Sequence, residues 1–161
     1  MTLYTTMASP VGELLLVGEV RGGRTVLTAV SMAGAKSLLV QPGWVGDGEA
    51  FAGVVPQLAA YFAGERGGFD IALGEGGTEF QRKVWGAVEG IPYGSTTTYG
   101  EIARRIGAPR AAVRAVGSAI GANPLLIVRP CHRVIGADGS LTGYAGGVES
   151  KRQLLALERV A

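Results

Sequence analysis

The stretch GEGG at residues 74–77 divides the chain into halves of different pattern, and that change constrains the fold more than any other feature. Before it, apolar residues come in β-branched runs; after it, they come at helical spacing behind capping signals. "GELLLVGEV" and "RTVLTAVSM" read as strands, and the "RGG" between them suits a hairpin turn. "VVPQLAAYFAGE" sets Val55, Leu58, Ala59 and Phe62 at helical spacing, and "FDIAL" offers another short strand. The loop "QPGWVGDGE" carries no readable task. The fold class expected is α/β of the segregated α+β kind: a small N-terminal sheet-and-helix domain over 1–77, then a mainly helical C-terminal domain over 78–161.

In the second half, Thr78 with Gln81 and Thr98 with Glu101 fit the capping-box spacing that opens helices. The first of these helices carries Phe80, Val84 and Val88 on one face and stops near Gly90 and Pro92. The second, "TYGEIARRIG", is short, and after "AP" a third segment, "RAAVRAVGSAIGA", runs to Asn123. Two helices about a tight turn have helix-turn-helix spacing, though many helical hairpins share it. The later helix is thin, with Ala111, Ala112, Ala115, Gly117, Ala119 and Gly121, and its long basic side chains are Arg110 and Arg114. A helix must shed bulk to lie against a minor groove only about 6 Å wide, whereas a major-groove reader needs polar side chains. A composition rich in small residues, with 27 Gly, gives the same thinness for no functional reason.

Charge follows the same division. Residues 1–77 hold four Lys or Arg against seven Asp or Glu, net −3, and residues 78–161 hold eleven against six, net +5. A basic half fits a polyanionic partner or a merely solvated surface. No apolar run approaches the roughly 18 to 20 residues that span a bilayer, and the opening residues lack the basic region of a signal peptide. A cytoplasmic protein without a membrane partner is expected.

The only cysteine and the only histidine of the 161 residues stand side by side in "RPCHRVIG" at 129–136. One cysteine forms no internal disulfide, and one cysteine with one histidine makes no closed zinc site without carboxylates, so no metal is expected. A cysteine becomes a nucleophile when its pKa of about 8.5 is lowered or its proton is taken, for which a histidine is the usual means. Neighbours in an extended strand point apart, so Cys131 and His132 meet directly only at a bend, or through a water; Pro130 makes a bend plausible. The alternative is a buried cysteine acting as a small hydrophobe beside a backbone-satisfied histidine. In the last helix, "ESKRQLLALERV", Glu158 shares a face with Leu154 and Leu155, and a carboxylate there needs a partner. His132 would complete a Cys, His, Glu chain of the acyl-transfer kind; Arg133 or Arg152 would equally pair with Glu158.

"PCHRVIG", "TGYAGG", "KRQLLALE", "RAVG" and "ANP" together resemble the O6-alkylguanine-DNA alkyltransferases, also called methylated-DNA–protein-cysteine methyltransferases. The resemblance covers residues 78–158 closely and the first half in outline. It implies direct repair: an alkyl group moves irreversibly from guanine O6 to Cys131, so each molecule acts once and needs no cofactor. His132 is then the base acting through water, and Glu158 orients it. Asn123 braces the active-site turn, and the Tyr99 hydroxyl helps neutralise the departing guanine. Tyr144 and the backbone of Ala145 line the base pocket, and the backbone of Val134 reads the guanine edge. Arg114 fills the stack vacated by the rotated nucleotide, with Ala112, Ala115 and Arg110 on the DNA face. The implied partner is double-stranded DNA containing O6-alkylguanine, bound through the minor groove by a protein monomeric when free and able to assemble cooperatively on DNA.

Two features depart from the family pattern. Pro109 and Tyr99 each stand one residue further from Arg114, which bears on the inter-helix turn, and Arg129 occupies a place usually apolar. Arg129 is open to three readings: phosphate contact, thiolate support or plain solvation. Two other functions compete. A non-enzymatic alkyltransferase-like module would flip the lesion without accepting the group, but such modules lack the cysteine. A thiol hydrolase or amidase would use Cys131, His132 and Glu158, leaving Arg114 and Tyr99 unexplained.

Overall fold

The computed structural model describes residues 1–32 and 39–159. Lys36, counted in the charge of the first half, and Val160, the end of the C-terminal segment read as helical, lie outside the described residues. The first half builds a five-stranded sheet in the order β4-β1-β2-β3-β5. Its strands are β1 (Leu3–Met7), β2 (Leu14–Arg21), β3 (Arg24–Met32), β4 (Val45–Gly46) and β5 (Ala72–Leu73). The three long strands pair antiparallel, and the two short edge strands add in parallel.

Arg21 pairs with Arg24 across a two-residue turn, and Gly22 and Gly23 both take positive φ, +58° and +78°. That is the type I′ geometry whose twist matches the flanking strands, and only glycine adopts it twice in succession at little cost. The hairpin read from "RGG" therefore forms. Helix α1 (Val55–Phe62) covers the sheet with Leu58 and Tyr61 fully buried. Ala59, expected on the buried face, is exposed, because the inward stripe runs through Val54, Leu58 and Tyr61.

The second half holds α2 (Glu79–Glu89), α3 (Tyr99–Arg105), α4 (Val113–Gly121) and α5 (Val148–Leu157). Thr78 and Gln81 form the full capping box at α2. At α3 only half of it appears: Thr98 accepts from the Glu101 N–H, while the Glu101 carboxylate turns to Arg104 and Arg105. The segment expected to be one helix from Arg110 divides, since Arg110–Ala112 winds as a 3-10 turn before α4. Helix α5 starts at Val148 and leaves Glu158 as the residue capping its C-terminus. A two-stranded parallel pair, β6 (Thr97–Thr98) with β7 (Val134–Ile135), ties the start of α3 to the segment after Cys131.

One apolar core runs through both halves, with Leu16, Leu27 and Leu58 in the same cluster as Val84, Ile102, Val116 and Leu154. The backbone joins them as well. The Val30 N–H donates to the Pro124 carbonyl at 2.9 Å, and the Leu126 N–H donates to the Val30 carbonyl at 3.3 Å. The outer edge of β3, past its pairing with β5, thus holds the segment leading to Cys131. No helix among the described residues is long and apolar enough to cross a membrane.

Candidate active site

Cys131 opens a 3-10 turn, Cys131–Arg133, immediately after Pro130. The turn supplies the bend that an extended strand lacks, and it buries Cys131, His132 and Arg133 together. Asn123, at the end of α4, spans the preceding loop. Its Oδ1 accepts from the Leu125 N–H at 3.0 Å, and its Nδ2 lies 3.2 Å from both the Arg129 carbonyl and Cys131 Sγ. Burial pushes the Cys131 thiol up to about 11, against the hydrogen bond from Asn123 and the charge of Lys151. The resting thiol is therefore protonated at neutral pH and requires a base.

His132 is the candidate. Its Nε2 lies 2.7 Å from Glu158 Oε2, both side chains fully buried. A carboxylate there selects the tautomer that carries its proton on Nε2, leaving the Nδ1 lone pair as the acceptor. Nδ1 is buried and has no hydrogen-bond partner among the described residues. Burial lowers the His132 pKa despite Glu158, so the ring is neutral at pH 7. Glu158 also takes Arg133, with Nε to Oε1 at 2.7 Å and a second guanidinium nitrogen to Oε2 at 3.0 Å. Both alternatives for its partner hold at once, while Arg152 pairs with Glu149. Burial alone would raise the carboxyl pKa; the bonds from His132, Arg133 and Tyr61 hold it at about 2.

The remaining candidates fall around this centre. Tyr144 sets its ring edge-on to His132 at 6.5 Å between centroids, with its hydroxyl buried near the Ile127 backbone. Ala145 is half-buried beside it, and Gly146 follows where a Cβ would meet Met32 Sδ at 2.5 Å, so only glycine lets this loop approach β3. Val134 is fully buried, and its carbonyl accepts from Lys151 Nζ at 2.6 Å. Tyr99 lies against Gly117 of α4, and its hydroxyl meets Thr142 Oγ1 at 2.9 Å. Arg110, Arg114 and Ala115 are exposed, with Ala112 half-buried, and neither arginine forms an ion pair among the described residues. Arg129 is not solvated. It is buried, stacks 4.7 Å from the Trp85 ring centroid, and bonds Glu89 at 3.1 Å and Asn123 at 3.2 Å.

Comparison with known proteins decides the family. Residues 79–160 match the 6-O-methylguanine DNA methyltransferase DNA binding domain, and residues 2–74 match the ribonuclease-like domain of the same family. The chain belongs to the 6-O-methylguanine DNA methyltransferases. It is 55% identical over 159 residues to a methylated-DNA–protein-cysteine methyltransferase of Mycolicibacterium paratuberculosis, covering 99% of this chain and 93% of the relative. Against the Methanosarcina acetivorans protein of that name it is 51% identical over 155 residues, covering 96% of this chain and 97% of that one. The crystal structure of Mycobacterium tuberculosis OGT in complex with DNA superposes with TM-score 0.87 at 52% identity, covering 98% of this chain and 92% of that one.

Three residues of this methyltransferase site escaped the sequence reading as part of the cluster or were left as alternatives. Lys151 is 1% exposed and donates to the Val134 and Thr142 carbonyls; burial lowers its pKa to about 8. Arg133 adds a bond to the Ile91 carbonyl at 2.8 Å, which fixes its guanidinium beneath Glu158. Tyr61 reaches in from α1, its hydroxyl 2.5 Å from Glu158 Oε2. The available signal was a polar atom on a stripe otherwise apolar, which demands a buried acceptor somewhere in the fold.

Proposed function

We infer that this protein repairs alkylated DNA directly, by transferring the alkyl group of O6-alkylguanine to Cys131. The single observation that carries the reading is the buried Cys131 bend beside a histidine whose Nε2 is held by Glu158 and whose Nδ1 is left as acceptor. His132 takes the thiol proton through an intervening water, and the imidazolium formed is stabilised by the Glu158 carboxylate. Sulfur attacks the alkyl carbon; the C–S bond forms as the C–O6 bond breaks, and the electron pair leaves on guanine. The Tyr99 hydroxyl donates toward that developing charge. The thioether product has no leaving route, so each molecule acts once.

Guanine O6 in a duplex is out of reach of a buried thiol, and extruding the base costs a few kcal/mol. The exposed Arg114, without an ion pair among the described residues, supports a role in the vacated stack, and Ala112 and Ala115 beside it support close approach through the minor groove. Arg110 provides a phosphate contact, which positions without reading sequence. Tyr144, the Ala145 backbone and the second lone pair of the Val134 carbonyl form the base pocket, and Asn123 braces the loop. The two family matches support a domain boundary at the Gly-rich stretch, between residues 77 and 78. The protein acts as a cytoplasmic monomer that can assemble cooperatively on DNA.

The test is to incubate the protein with a duplex carrying one O6-methylguanine, then digest and quantify the nucleosides. Guanine should replace the lesion one-for-one with added protein. Turnover beyond one, or release of the base, would point instead to a hydrolase.

A further inference from the structure

Among the described residues, one side chain of the first half hydrogen-bonds the carboxylate that holds His132. Tyr61, fully buried on α1, donates its hydroxyl to Glu158 Oε2 at 2.5 Å, the same oxygen that accepts from His132 Nε2 at 2.7 Å. Among the described residues, the other donors to Glu158 come from the second half: Arg133 from the turn that carries His132, and the Gly94 N–H at 3.4 Å. Arg133, tied to the Ile91 carbonyl at 2.8 Å, and Gly94 anchor Glu158 to the loop after α2. Tyr61 anchors it to the N-terminal half. Its ring sits among Phe62, Phe69 and Tyr93 at centroid distances of 5.3, 5.6 and 6.3 Å, which leaves the hydroxyl one direction to point.

We propose that Tyr61 is a positioning residue for alkyl transfer, holding Glu158 Oε2 so that the carboxylate keeps the His132 ring oriented with its Nδ1 free to take the thiol proton. It thereby gives the N-terminal half a part in the chemistry beyond folding. The inference depends on the roles assigned above to His132 and Glu158. Among the described residues, the ionisable groups facing the cluster are Tyr61 from α1, Tyr93 from the loop after α2, Arg129 before the turn, Cys131, His132 and Arg133 from the turn, Tyr144 from the next loop, Lys151 from α5 and Glu158 at its C-terminal cap. Among the described residues, Tyr61, Arg133 and Gly94 compete with His132 for the carboxylate. Loss of the Tyr61 hydroxyl makes Glu158 a stronger acceptor for the histidine, which raises the affinity of His132 for a proton.

Tyr61→Phe keeps the ring and removes the bond. In the full-length protein, the single-turnover rate on a duplex containing O6-methylguanine should fall about tenfold at neutral pH, as for other outer hydrogen-bond partners that orient a reactive histidine. The acid limb of the pH–rate profile should move to higher pH, and lesion-duplex affinity, measured in a Cys131→Ala background, should not change. Leu58→Ala on the same helix lowers stability without touching Glu158 and should leave the acid limb in place. A wild-type rate and acid limb in Tyr61→Phe would overturn the proposal, as would an acid-limb shift of equal size in Leu58→Ala. Glu158→Gln separates this from the relay itself: if it is slow while Tyr61→Phe reacts normally, Tyr61 alone is misassigned, and if both react normally the relay falls with it.

Discussion

Lys151 Nζ lies 2.6 Å from the carbonyl oxygen of Val134, three residues beyond Cys131, and 3.0 Å from that of Thr142. One buried ammonium thus joins α5 to the segment after the nucleophile and to the loop that precedes Tyr144. Replacing Lys151 with Met keeps the length of the stem and removes the donors. One buried and one part-buried carbonyl would lose this donor, and the folded state should lose about 2 kcal/mol, measured by urea unfolding. Lys151→Arg cannot restore both bonds in this space and should recover less than half of that loss.

The acid stability of the protein should follow Glu158 and His132. Glu158 has its pKa lowered from 4.5 to about 2, so the stability it contributes is present above pH 4.5 and is lost as pH falls toward 2. His132 is held neutral in the fold with its pKa below 6.5, so the unfolded chain takes up that proton first and stability declines as pH drops below 6.5. Both act in the same direction. Urea midpoints from pH 7 down to pH 3 should fall continuously for the wild type, with a shallower slope below pH 4.5 in Glu158→Gln.

Cys131→Ala should retain binding to a duplex containing O6-methylguanine and lose transfer altogether. The cysteine side chain is small and buried, and among the described contacts only Asn123 Nδ2 bonds its sulfur. Gel-shift affinity should stay within about twofold of wild type, since removing one sulfur from a packed site leaves the DNA-facing surface intact.

Arg114→Ala should separate the two substrates that the reading distinguishes. On duplex the rate should drop roughly tenfold, part of the few kcal/mol that base extrusion costs, while reaction with a free O6-alkylguanine base should be unaffected. Equal loss on both would remove Arg114 from the vacated stack.

Local rules carried much of the fold. The Gly22-Gly23 hairpin and the Thr78 capping box are set by backbone chemistry within a few residues, and both form as read. The two-residue strands β4, β6 and β7 were not legible, because their pairing partners lie far along the chain and two residues show no periodicity. The antiparallel partner β1 was legible in principle in "LYTTM" and was overlooked. At the site, the Cys131, His132 and Glu158 set stood out because each is rare or out of place on its face. Tyr61 and Lys151 did not: a tyrosine on a helix stripe and a lysine near the start of a helix look ordinary until tertiary packing closes water off from them. Of the three readings open for Arg129, plain solvation falls, and the sequence did not show this because its partners Glu89 and Trp85 lie on a different element.

The central claim is that the sulfur of Cys131 keeps the alkyl group. Intact-protein mass spectrometry after mixing with excess duplex bearing one O6-methylguanine, followed by peptide mapping, tests it most directly. The account predicts a gain of one methyl per protein, saturating there, located on the peptide containing Cys131 and absent from Cys131→Ala. An unchanged mass while the lesion disappears from the DNA would contradict it.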